Sequence, residues 1–304
     1  MKLFAKLRFF CYLCKLFDKK DRNINNFFKR TLSAIVYAGL VLGSILLEPA
    51  CFGGHPLLFG VLMMILSALA VREFHALLGS DIKITTYAMV ASVLLFCTLY
   101  FLFYGDIVWR TLLLAYVAVL LMAMIVHLFR AEVNPIASWG NLCAGQLMVA
   151  LPFALMNGVM MYNKWLMLAV FILLWVNDSG AYIVGSLTAK RKNGNHKMFP
   201  RVSPAKSWEG LIGGFVFDLV AGYVFFRIGW MGDMSLVNSL FFALAAGGFG
   251  TLGDLMESLF KRSLGVKDSG KFMPGHGGVL DRFDSLLLAV PVVYFFFVYL
   301  PTIL

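Results

Sequence analysis

Five acidic and five basic residues fall between positions 254 and 284 of this 304-residue chain, together with His276 and five glycines. In the stretch GDLMESLFKR, 253–262, helical geometry would put Asp254, Glu257, Ser258 and Lys261 on one face, since they follow i, i+3, i+4, i+7 spacing. LDRFDS, 280–285, repeats the idea with Asp281 and Asp284 at i, i+3. Between them SLGVKDSGKFMPGHGGV carries five glycines and a proline, which break regular helix and leave backbone N–H groups free. Two helical carboxylate sites joined by such a loop can converge on one cation, and they would repel one another without it. Magnesium suits a few carboxylates completed by substrate phosphates. Lys261, Arg262, Lys267, Lys271 and Arg282 interleave positive charge for anions. Singly, each of these charges reads as an ordinary solvated one. As a set they describe a site for metal-bound polyphosphate.

A second stretch runs WVNDSGAYIVG, then basic KRKNGNHK, then SPAKSWEGLIGG. Asp178 lies within an apolar run, where a charge costs about 2.5–3.5 kcal/mol and marks function. Ser203, followed by proline, is placed to cap the next helix. Lys206 beside that helix N-terminus suits a phosphate, and Glu209 lies close by. Asp218, near mid-span, is expected to pair inside the bundle. GFGTLG at 248–253 fits a dinucleotide fingerprint in letters only; without a βαβ unit around it, it predicts close helix packing. No G-x-x-x-x-G-K-S/T is present, and His276 alone makes no zinc site.

The elements that must position these residues are membrane helices. The chain is 61% hydrophobic and only 14% charged, against a usual quarter. Apolar runs near 31–47, 56–71, 85–104, 108–129, 138–157, 164–187, 208–229, 235–252 and 284–303 predict about nine spans in an all-α polytopic membrane protein. With the N-terminus inside, all but Arg110, Lys164 and Arg227 of the 26 Lys and Arg residues face the cytoplasm. The net charge of +10 is thus a topology signal, and no soluble basic domain exists to hold nucleic acid. Residues 1–30 read as a basic amphipathic segment on the cytoplasmic lipid surface, 31–157 as N-terminal transmembrane helices, and 158–304 as a catalytic transmembrane domain. Cys11 and Cys14 form a C-x-x-C that nothing nearby completes. The inner loops at 72–84 and 130–137 read as plain connectors; those at 188–207 and 253–283 are long and rich in turn residues.

SLFKRSLGVKDSGKFMPGHGGVLDRFDS, 258–285, resembles the signature of the phosphatidate cytidylyltransferases, or CDP-diacylglycerol synthases. The likeness runs through Ser258, Lys261-Arg262, Lys267-Asp268, Pro274-Gly275-His276-Gly277-Gly278 and Asp281-Arg282-x-Asp284. The Asp178-x-x-Ala181-Tyr182 segment, SPAKSWEG and Gly253-Asp254 extend it over 175–285. Two departures stand out: GSLTAKRKNGNHK replaces a shorter Gly-Lys-x-Phe-Gly, and Ser207 stands where threonine is common.

The resemblance implies that CTP and phosphatidate give CDP-diacylglycerol and pyrophosphate at the cytoplasmic face of a multi-pass, homodimeric protein. It implies Asp254, Asp281 and Asp284 as ligands of magnesium, with or without a second cation. Lys267 and Asp268 would belong to the catalytic set. Lys261, Arg262, Lys267 and Arg282 would hold phosphates, and Asp178, Ser203, Lys206, Glu209, Ser258 and His276 would line the substrate site. Two alternatives remain: a CTP-dependent lipid kinase, which would need a base for its alcohol, and a transporter. A transporter would show internal repeats and midplane acids.

Overall fold

A computed structural model of the chain describes residues 35–47, 56–129, 134–190, 194–270 and 277–303. The 1–30 segment, Cys11, Cys14 and His276 lie outside these residues. Among the described residues, eight helical segments are long and apolar enough to cross a bilayer, which makes this a multi-pass membrane protein. In order they are α2 (Leu57–Leu77), α3 (Ile82–Phe103), α4 (Val108–Val126), a segment Pro135–Tyr162, α7 (Lys164–Ala189), α8 (Trp208–Arg227), α9 (Leu236–Ser263) and Leu280–Tyr299. Pro135–Tyr162 comprises α5 (Pro135–Gly145), a π-helical turn (Gln146–Ala150) and α6 (Leu151–Tyr162). Leu280–Tyr299 is α10 (Leu280–Val293) with a second π turn. The expected first span, 31–47, is described only in part, as the short helix α1 (Ile35–Leu46).

Lipid is as apolar as leucine, so these helices associate through close packing. Small residues make it possible. A Cβ at Gly213 would strike Val184, at Gly180 Phe217, and at Gly222 Ala243, so α7, α8 and α9 approach backbone to backbone. Phe153, Phe171, Phe242 and Phe283 fill the centre, with Phe153 and Phe283 ring centroids 4.8 Å apart. α6 packs on α2, α3 and α10, so the boundary expected at 157/158 falls inside a helix shared by one core.

Two segments differ from the sequence reading. Part of the basic loop pairs as an antiparallel hairpin, β1 (Lys197–Phe199) with β2 (Ser203–Ser207). α8 is capped by Ser207, whose Oγ accepts from Gly210 N at 3.1 Å. Ser203 is therefore a strand residue and not the cap; the true cap sits immediately before the helix, as cap geometry requires.

Candidate active site

α9 runs past the predicted end at 252 to Ser263, carrying Asp254, Glu257, Ser258 and Lys261 on one face. A Cβ at Gly250 would run into Leu174 and one at Gly253 into the Asp284 and Ser285 carbonyls, so the GFGTLG run does serve close packing. That contact lays the first turn of α10 against the polar face of α9.

Lys261 is the central cation. Its Nζ lies 2.6 Å from Asp281 Oδ1 and pairs also with Glu257, the three side chains being only 12%, 7% and 3% exposed. Asp281 Oδ2 accepts from Ser269 N at 2.9 Å and Gly278 N at 2.8 Å. Gly277, at φ 82°, turns the chain so that this second amide faces the carboxylate. Asp281 thereby ties both ends of the 269–278 segment to the start of α10, where the helix dipole also favours an acid.

Around Asp254 lies the second cluster. Its Oδ2 is 2.6 Å from Lys206 Nζ, and its Oδ1 accepts from Ser258 Oγ at 3.3 Å. Lys206 also donates to the Thr251 carbonyl at 3.3 Å. Asp178, Asp254 and Asp284 lie within electrostatic range of one another. Like charges this close raise one another's cost unless a positive group answers them, and Lys206 is the one seen to pair here. Among the described residues no three acids, histidines or cysteines are arranged to hold a metal unaided.

Other predicted residues stand apart. Glu209 accepts from His196 N at 3.1 Å and contacts His196 Nδ1 at 2.6 Å, which fastens the hairpin to α8. Arg262 is exposed and donates to the Val266 carbonyl at 3.4 Å. Lys267 and Asp268 are exposed on the loop. Arg282 follows Asp281 in the first turn of α10, and its carbonyl accepts from Tyr37 at 3.5 Å. Asp218 is fully buried and accepts from Asn177 Nδ2 at 2.6 Å, the pairing expected inside the bundle.

Two contributors were not foreseen. Asn177 also accepts from Thr251 Oγ1 at 3.1 Å, linking α7, α8 and α9 beneath the acids. Glu73, near the end of α2, accepts from Leu280 N at 3.0 Å and Ser269 Oγ at 3.2 Å. A Cβ at Gly270 or Gly278 would strike its carboxylate. The 72–84 stretch is thus no plain connector: its first turn holds the glycine loop. Hydrogen bonds to a charged group are worth about 1.5–3 kcal/mol. Glu73→Gln is expected to make the 264–279 loop a preferred site of limited proteolysis while the helices stay intact. Unchanged cleavage would show that the loop does not depend on this carboxylate.

Helices of bilayer length that carry paired lysines and carboxylates at one end define a membrane protein with a polar cluster at that end. The model of the cytidylyltransferase family matches residues 28–300, and the chain belongs to that family. It is 46% identical over 139 residues to the phosphatidate cytidylyltransferase of Haemophilus influenzae, covering 45% of this chain and 46% of that one. Against the Pseudomonas aeruginosa protein of the same name, identity is 34% over 271 residues, 87% of this chain and 94% of the relative. The Bacillus subtilis counterpart is 44% identical over 124 residues, or 41% and 44% of the two chains. The chain thus spans about half the length of the first and third of these relatives in the matched stretch, and nearly all of the second.

Proposed function

We propose that the protein is a phosphatidate cytidylyltransferase, joining CTP to phosphatidate with release of pyrophosphate. The observation that carries this is the gathering of Lys206, Lys261, Asp254, Asp281 and Asp284 where membrane helices end, in a chain of the cytidylyltransferase family. In the reaction an oxygen of the lipid phosphate attacks the α-phosphorus of CTP. The bond from that phosphorus to the oxygen bridging to the β-phosphate breaks, and its electrons leave with pyrophosphate. A phosphate monoester has a second pKa of about 6, so the nucleophile is already ionised and no strong base is required. Positioning and charge neutralisation remain for the protein to supply.

Lys206 and Lys261, each now paired with a carboxylate, would turn to phosphate oxygens when substrates enter. Asp254 and Asp284, with Asp281 a turn away on α10, would hold magnesium. Bound there, the ion would offset charge growing on the departing pyrophosphate. Asp281 would meanwhile keep its hold on the amides of Ser269 and Gly278. Charge asymmetry between the two sides supports a cytoplasmic site, where CTP arrives from solution and phosphatidate from the leaflet. Homodimerisation is proposed on the resemblance alone.

The test supplies detergent-solubilised protein with phosphatidate, magnesium and CTP labelled on the α-phosphate. Label should pass into organic-soluble CDP-diacylglycerol and stop on addition of EDTA. Transfer from γ-labelled CTP instead would convert the assignment to a lipid kinase, and transfer of neither would remove the enzyme reading.

A further inference from the structure

Beside the polar site, and separate from it, lies an apolar cavity of about 310 Å³ between α2, the π turn Gln146–Ala150, α9 and α10. Phe74 and Phe260 stack across the end nearest the acids, ring centroids 4.8 Å apart and nearly parallel. From there the lining descends α10 from Leu280 to Pro291, roughly 16 Å at the rise of an α-helix. That is about half the thickness of a bilayer's hydrocarbon core, one leaflet's share. Leu147 and Met256 line the cavity and are also 66% and 43% exposed, so it opens sideways through a face that meets lipid. Pro152 has no N–H to continue the helical ladder, and the π turn just before it swings Leu147 toward the opening.

Its one acid is Glu257, the partner of Lys261. On α9, Gly253, Met256, Glu257 and Phe260 face the cavity, while Asp254, Ser258 and Lys261 lie on the adjoining face. The apolar cavity and the polar site therefore share a wall.

We propose that this cavity receives one acyl chain of the lipid substrate, with Leu147, Met256 and Leu288 setting the chain length that fits. The proposal rests on the phosphatidate reading above and adds to it the element that selects among phosphatidates. A chain lying parallel to α10 would keep its glycerol end level with Glu257 and its phosphate within reach of Lys261. The lateral opening lets the chain enter from the leaflet without crossing water.

The experiment compares turnover of dioctanoyl and dipalmitoyl phosphatidate in mixed micelles for the wild type and for Leu288→Trp, which narrows the cavity. The long-to-short ratio of kcat/KM should fall at least tenfold in the variant; an unmoved ratio overturns the proposal. Should Leu288→Trp fail to fold, wild-type protein is irradiated with phosphatidate carrying a diazirine at the chain end. Cross-links within 147–151 or 256–260 support the cavity, and cross-links confined to the lipid face of α4 refute it. Wild-type protein that transfers no nucleotide to either lipid would defeat the functional reading instead, and the cross-linking arm would still decide the cavity.

Discussion

Lys261→Met is expected to cost about 3–5 kcal/mol of stability and to remove all measurable turnover, the first because two carboxylates are left buried without their cation. Glu257 and Asp281 are each less than a tenth exposed, and both hold Lys261 Nζ. Water cannot replace the ammonium there. The two effects can be separated. In Glu257→Gln/Lys261→Met/Asp281→Asn the stranded charges are gone, so most of the lost thermal stability should return in detergent. Turnover should not return, because the Lys261 ammonium and the Asp281 carboxylate are both still missing from the site. Full stability in the single variant would show that the acids find other partners. Recovery of activity in the triple variant would show that Lys261 is structural only.

Asp254→Asn has the opposite profile. Asp254 is 29% exposed and makes one ion pair and one hydrogen bond, so neutralising it should shift stability by no more than about 1 kcal/mol. Catalysis should fall by about a thousandfold, roughly 4 kcal/mol of lost transition-state stabilisation. Asparagine keeps the shape and the Ser258 contact but not the charge that would attract a cation and hold Lys206. Pyrophosphate release, followed at several magnesium concentrations, reads the effect. If high magnesium restores the rate, Asp254 acts on metal affinity; if the rate is not reduced at all, the acid has no part in the reaction.

Helix positions were largely legible because bilayer-length apolar runs have a single backbone solution, and the described spans begin and end near the hydropathy bounds except that α2 and α9 run on past theirs to Leu77 and Ser263. The shared face of Asp254, Glu257, Ser258 and Lys261 on α9, and the break in helix before Asp281, were legible too, because helical spacing and φ-permissive glycines are local properties. Glu73 was not. It sits in a short run, REFHALL, whose composition resembles any helix end, and its partners are remote in the chain. Asn177 hid for another reason, as a neutral amide inside an apolar span with a more conspicuous aspartate beside it. The hairpin escaped because SPAKS shows no apolar alternation and contains a proline. The resemblance put Glu209 in the substrate site; in the structure its carboxylate is turned to His196.

The bond from Leu280 N to Glu73 joins residues 207 positions apart. At some 5–20 residues per second, a ribosome places α2 in the membrane about 10–40 s before α10 exists to meet it. The acids of α9 and its Lys261, made shortly before α10, likewise lack the helix that completes them until it follows. Synthesis itself therefore withholds activity until α10 has been made, and a nascent chain halted before α10 would occupy the membrane without a working site.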